Sequence, residues 1–141
     1  MKNSLPEPLI RKIDCLRLSV PDLDAGLAFY RDRLGQQVIW RSESQVGLRL
    51  PDTDAEIVLH VEPQAPEIDL TVFSADGAAA RFKEAGGKIV VPPFDIQIGR
   101  CVVVQDPWGN QIVLLDSSKG LLATDADGYV IGNIEPTAQK H

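Results

Sequence analysis

The order of elements in residues 13–62 recurs, with shorter spacings, in residues 68–116: a strand, a helix, then three strands. No other feature of the chain restricts its fold so strongly. At 141 residues it is one domain or two small fused halves, and it reads as α+β, with two βαβββ modules spanning 12–62 and 68–116.

In the first half, Asp14 to Val20 alternates polar and apolar residues, as a half-buried strand does. Pro21-Asp22-Leu23-Asp24 opens a helix, with Pro tolerated in the first turn and carboxylates favoured at the positive end of the dipole. Leu23, Leu27, Tyr30 and Leu34 form one apolar stripe, and Gly35 stops it. Strands are expected at 37–40, 46–50 and 56–62, the last two joined by Pro51-Asp52-Thr53-Asp54. In the second half a strand at 68–73 leads to a helix near 77–84 that ends at Gly86-Gly87. Lys88 to Val91 follows, and Pro92-Pro93 stops that strand or pushes it to a sheet edge. Asp106-Pro107-Trp108-Gly109-Asn110 then reads as a hairpin turn between Cys101–Val104 and Ile112–Leu115. Pro107 presets φ, Asp106 caps through its side chain, and Gly109 takes the positive φ that closes the reversal.

Residues 1–11 are expected to be an N-terminal extension and 117–141 a C-terminal one with a hairpin and a flexible end. Within the latter, Asp125-Ala126-Asp127-Gly128 separates Leu121-Leu122 from Tyr129-Val130-Ile131, so the hairpin could cover a sheet edge or meet a second subunit. Asp-x-Asp-Gly also hints at calcium, but an EF-hand loop needs more oxygen ligands and a late Glu, so a structural turn is preferred.

The net charge of −6 disfavours nucleic acid, whose phosphates require a basic face. No apolar run approaches the ~18 residues of a membrane span, and the start lacks a signal-peptide core, which makes a cytoplasmic location the default. Cys15 and Cys101 have no CxxC spacing and are expected to be reduced thiols.

Val20-Pro21-Asp22-Leu23, then Ala28 to Gly35, then Ala85-Gly86-Gly87, then Asp106 to Asn110, in this order on two βαβββ units, resemble the vicinal oxygen chelate superfamily. That superfamily groups glyoxalase I, extradiol dioxygenases, fosfomycin-resistance enzymes and bleomycin-resistance binding proteins. The resemblance covers roughly residues 12–116. It implies two modules around an open, U-shaped cleft, and a homodimer. In metal-dependent members, four ligands come from the first and last strands of each unit, usually His and Glu. Carried onto this chain, those positions are Cys15, Val58, Asp69 and Val113. Two valines cannot ligate, and a thiol with one carboxylate is a poor match for Mg, Mn or Fe(II). No cofactor is expected. The weaker alternative is a divalent ion at Cys15, His60 and Asp69, because His60 shares a strand face with Val58.

The same alternation names a cleft wall of Cys15, Arg17, Ser19, Val58, His60, Asp69, Thr71, Phe73, Val113 and Leu115, with Glu56 and Glu62 as further candidates on the His60 strand, apolar with sparse polar groups. Arg17 offers a fork for a carboxylate or phosphate, or else a structural ion pair with Asp69 or Glu62. His60 is a general base or a plain wall residue, and Cys15 a nucleophile beside Arg17 or a small buried hydrophobe. Trp108, Trp40 and Phe94 are packing residues or aromatics at a cleft mouth. The expected ligand contacts are therefore Cys15, Arg17, His60, Asp69, Thr71, Phe73 and Trp108, and no residue is assigned a catalytic role.

Three classes of function remain open. The first is a metal-independent small-molecule binder of the bleomycin-resistance kind, which the broken ligand set favours. The second is a metal-dependent lyase, isomerase or dioxygenase. The third is a module that only assembles with another protein.

Overall fold

The computed structural model describes residues 7–135, so the expected flexible C-terminal end lies in part outside the described residues. The first module is β1 (Lys12–Ser19), α1 (Leu23–Leu27), β2 (Val38–Arg41), β3 (Gln45–Arg49) and β4 (Glu56–His60). The second repeats that order in β5 (Glu67–Thr71), α2 (Ala75–Glu84), β6 (Lys88–Asp95), β7 (Arg100–Gln105) and β8 (Gln111–Leu115). β9 (Leu122–Thr124) and β10 (Val130–Asn133) make a separate hairpin. All eight module strands share one mixed sheet in the order β2-β3-β4-β1-β5-β8-β7-β6. Each module's first strand runs parallel to its last, and the modules join where β1 and β5 pair antiparallel.

Each helix covers its own half of one sheet face. α1 packs through Leu27 on Val20, Val46, Leu48 and Leu59. α2 packs through Ala75 and Ala78 on Val72, Val102, Val104 and Leu114. Burying a side chain of Val or Leu size contributes about 1.5–3 kcal/mol, so these two clusters supply most of the drive to fold. α2 begins where Ser74 accepts from Gly77 N at 3.0 Å, and its alanines let it sit close to the sheet. α1 begins where Asp22 accepts from Ala25 N at 2.7 Å.

After Leu27 the first helix widens into a π-helical stretch, Ala28–Arg33, seen in the bond from Leu34 N to Phe29 O at 3.0 Å. The wider turn breaks the expected stripe. Leu23, Leu27 and Tyr30 still pack inward, but Leu34 is rotated out and is 53% exposed. Gly35 then closes the segment at φ +84°.

The two prolines of β6 do not end it; β6 is the outermost strand, and its pairing with β7 slips twice, the second time between Val91 and Phe94, so that neither proline is a paired residue of the ladder. At the β7–β8 turn, Asp106 Oδ1 accepts from Trp108 N and Asn110 N, each at 2.9 Å, and Gly109 adopts φ +94°. Buried Asp116 ties the second module together: it accepts from Ala75 N at 2.8 Å, Arg100 N at 2.9 Å and the Ser118 hydroxyl at 2.8 Å. Among the described residues no helix is long and apolar enough to cross a membrane.

Candidate functional site

The face without helices is nonetheless covered. Cys15, Val58, His60, Asp69, Val113, Leu115 and Cys101 all point away from the helices and are all buried, which requires the sheet to curl around them. This concave face is the candidate site, and its two halves differ.

In the first module the wall is polar. Trp40 lies across Gly47, where any Cβ would collide with the indole, and its Nε1 donates to Glu56 Oε1 at 2.7 Å. Arg17 donates through Nη1 to Gln45 Oε1 at 3.1 Å, and its Nε lies 3.4 Å from Glu67 Oε2. The structural partner of Arg17 is thus Glu67, not Asp69 or Glu62. His60 accepts from Glu62 N at 3.1 Å through Nδ1, which places the imidazole proton on Nε2. That Nε2 is buried and has no hydrogen-bond partner among the described residues. Burial holds the His60 pKa below its usual value, and the Arg17 cation adds to the effect, so the ring is neutral.

At the module junction the Cys15 thiol donates to Asp69 Oδ2 at 3.5 Å, while Asp69 Oδ1 is buried and unpartnered among the described residues. Burial pushes the Asp69 carboxyl up to about 8, and neighbouring Glu67 pushes in the same direction. Burial also drives the Cys15 thiol well above its usual range, with Asp69 and Asp14 reinforcing it. Asp14 enters because the β1–β5 register slips between Ile13 and Cys15. The bulge brings ligand atoms of Asp14, Cys15 and Asp69 within 4.8 Å of one another, close enough to share an ion; His60 is not in this group. The expected trio of Cys15, His60 and Asp69 is therefore replaced by one containing Asp14.

The second module's wall is apolar: Cys101, Val113 and Leu115, capped by Ile96, Ile98 and Val103. Burial raises the Cys101 thiol to about 12. Thr71 sits at the end of β5 beside Leu115, its hydroxyl buried without a partner among the described residues. Phe73 and Trp108 stand elsewhere. Phe73 follows the end of β5, where its ring lies under the Arg11 guanidinium at 4.6 Å beside the start of α2. Trp108 is 82% exposed at the tip of the β7–β8 turn.

The ladders set Val58 opposite Arg17 and Val113 opposite Asp69. Ser19–His60 and Thr71–Leu115 pair at matching points, each three residues before a helix cap, so Val58 and Val113 are counterparts and Arg17 holds in the first module the place that Asp69 holds in the second. Glu56 stands opposite Cys15, two residues before Val58.

A family model described as the Glyoxalase/Bleomycin resistance protein/Dioxygenase superfamily matches residues 12–114, which spans both modules. The chain belongs to that superfamily. The superfamily fold is shared with methylmalonyl-CoA epimerase from Mycobacterium tuberculosis, at TM-score 0.67 and 20% identity over 80% of this chain and 92% of that one. Homoprotocatechuate 2,3-dioxygenase from Brevibacterium fuscum, in complex with 3,4-dihydroxyphenylacetate, aligns at TM-score 0.60 and 28% identity over 79% of this chain. This chain spans only 38% of that enzyme. A structure described as an NAD-dependent benzaldehyde dehydrogenase from Legionella pneumophila aligns at TM-score 0.60 and 20% identity, over 73% of this chain and 97% of that one. Names so different on one fold leave function to be argued from the site. Comparison with curated protein sequences returns no match.

The superfamily's divalent metal fits this donor set poorly. Here Asp69 and Cys15 are bonded to each other, Glu56 is engaged by Trp40, and the equivalent positions on the last strands of the two modules are valines, Val58 and Val113. A thiol among carboxylates also mixes a soft donor with hard ones.

Sequence reasoning missed three members of the site and left a fourth undecided. Glu67 and Gln45 each lie one residue outside the expected strand. Asp14 falls on the opposite face under strict alternation, and no Gly or Pro marks the bulge that turns it in. Trp40 was left open between packing and cleft, and the signal that could have placed it is Gly47, a strand-interior glycine that marks a close approach.

Proposed function

We propose that this chain binds a small organic molecule in the concave face between its modules, without a metal ion. The division of that face carries the reading: an apolar wall from the second module adjoins a polar wall whose buried His60 Nε2 and Asp69 Oδ1 have unused hydrogen-bonding capacity. Apolar area supplies affinity in such sites, and sparse polar groups fix orientation. Neutral His60 offers a donor, Asp69 a donor or acceptor according to pH, and Arg17 a cation already half-engaged by Glu67. The same reading has the protein acting as a cytoplasmic homodimer, which sedimentation of the purified chain would test.

Metal analysis of the purified protein, followed by thermal-shift measurements with divalent ions, EDTA and a panel of cationic and aromatic antibiotics, tests the reading. The expected result is less than stoichiometric metal, no response to EDTA, and a Tm raised by at least one organic compound. The proximity of Asp14, Cys15 and Asp69 favours a metal-dependent lyase, isomerase or dioxygenase instead. Stoichiometric metal that is lost in Asp69→Ala would overturn the metal-free reading.

A further inference from the structure

The β9–β10 hairpin lies beyond the residues matched by the family model and touches both edges of the sheet. Its tip meets β2, the strand at one edge: Arg41 N donates to Gly128 O at 2.8 Å, Arg41 and Tyr129 form a parallel bridge, and the Arg41 guanidinium lies 5.0 Å from the Tyr129 ring centre. Its base meets the turn that follows β6, the strand at the other edge. There Gln97 Nε2 donates to Asn133 Oδ1 at 2.6 Å, and Asn133 Nδ2 donates to Gln97 O at 2.9 Å.

These two attachments fix the geometry. Eight strands laid flat at about 4.8 Å spacing would put β2 and β6 roughly 34 Å apart. The run from Gly128 to Asn133, fully extended at about 3.4 Å per residue, reaches no more than roughly 17 Å. The hairpin therefore joins the two arms of the curled sheet across their open side. That side is the concave one, because the β6–β7 turn holding Gln97 also lays Ile96 and Ile98 over Cys101, Val113 and Leu115.

The two ends are not equally held. The base is reinforced by Lys119 N on Ile98 O at 2.8 Å, Lys119 Nζ on Asp95 at 3.0 Å, and Asn133 Nδ2 on Gly120 O at 2.7 Å. The tip has the Arg41 contacts alone among its described attachments to β2, and no residue from 121 to 135 is buried. A segment with so little buried surface lies at the low end of local stability.

We propose that the β9–β10 hairpin is a strap that closes the ligand cleft, hinged at Asn133 and released at Arg41 to admit the ligand. This rests on the concave face being the binding site, but its test needs no ligand. Cys15 and Cys101 both lie in the cleft and report on access to it. Their reaction with 4,4′-dithiodipyridine is to be followed in the full chain, in Tyr129→Ala, which removes the ring under Arg41, and in Gly128→Val, which strains the tip at φ +87°. Unfolding is monitored in parallel. The expected result is a reaction at least tenfold faster in both variants, independent of low urea, with the sheet's unfolding midpoint unchanged. Hydrogen exchange on the unaltered chain gives a second reading: the Arg41 amide should exchange far faster than that of Leu59 in β4. Unaltered thiol rates in folded variants, or an Arg41 amide as slow as Leu59, would overturn the strap. Failure of every organic compound in the thermal-shift panel would instead count against the binding reading and leave these rates untouched.

Discussion

The two modules follow one chain path and line one cleft, yet they face it with opposite chemistry. The first presents Trp40, Glu56, Arg17, Cys15 and His60; the second presents Cys101, Val113 and Leu115 under Ile96 and Ile98, with Asp69 at the junction. On the helix side the two halves are alike, each an aliphatic cluster beneath its own helix. The contrast in polarity thus lies in the side chains that alternate onto the concave face. A strand tolerates this because its two faces are chemically independent: the backbone ladder and the helix-side residues fix the fold, while the other face is free to vary.

Placing the first module's chemistry in the second is the harshest way to break the comparison. Val113→Glu puts a carboxylate into the cluster of Cys101, Leu115, Ile96 and Ile98, next to Asp69 in the ladder and with no cation of the second module facing it in that cluster. An unpaired buried charge of this kind costs about 3 kcal/mol or more, a fall in Tm of roughly 10 °C. The loss should be smaller at pH 5 than at pH 8, because protonation relieves it. Thermal unfolding at the two pH values checks this, and an unchanged Tm would mean that the second wall is wetter than its packing indicates.

Asp69 sharpens the comparison from the other side, as the one buried carboxyl at the junction. Its folded pKa, about 8, lies above the ordinary value of 3.8, so the folded chain holds a proton that the unfolded chain releases earlier. The stability this contributes is fully present below about pH 4 and is lost as pH rises through about 8. Exposed carboxylates such as Asp76 and Asp95, held below their usual range by Arg100 and Lys119 respectively, have the opposite slope, so the measurement must be a difference. Subtracting the stability profile of Asp69→Asn from that of the natural chain should leave a curve that falls between pH 4 and 8. A flat difference curve would show that Asp69 titrates normally and that the junction is open to water.

Much of this architecture was legible because local chemistry and global fold agree. Asp22 opens the first helix, Gly35, Gly86 and Gly109 take positive φ, and the period-two alternation of β1 after its bulge and of β4 divides helix-side from cleft-side residues as expected, whereas the Ser74 cap starts the second helix two residues earlier than the expected 77. What sequence could not supply was register. A one-residue bulge at Asp14 adds a carboxylate to the junction, and the β1–β4 ladder sets Arg17, not Cys15, opposite Val58 as Asp69 stands opposite Val113. Both depend on which strand lies beside which, a non-local property that no window of residues contains. The π-helical widening after Leu27 is of the same kind, since the apolar stripe through Leu34 reads as an unbroken α-helix until the chain is folded.

The smallest effect belongs to Trp108, and it tests where the cleft ends. An aromatic at a hairpin tip is an attractive ligand contact in sequence, but here the side chain is 82% exposed, and it sits on the turn between β7 and β8, beyond Gln105 and Gln111, which pair at the end of that ladder away from the Cys101–Leu115 pair. Its backbone N–H carries the structural role by donating to Asp106, a bond that any residue here would keep. Trp108→Ala should therefore change stability by less than about 0.5 kcal/mol. It should also leave the thermal shift from any ligand found for the cleft unaltered. A ligand whose shift disappears in Trp108→Ala, while stability holds, would extend the binding surface past the apolar wall to the turn and make the second module's contribution aromatic as well as aliphatic.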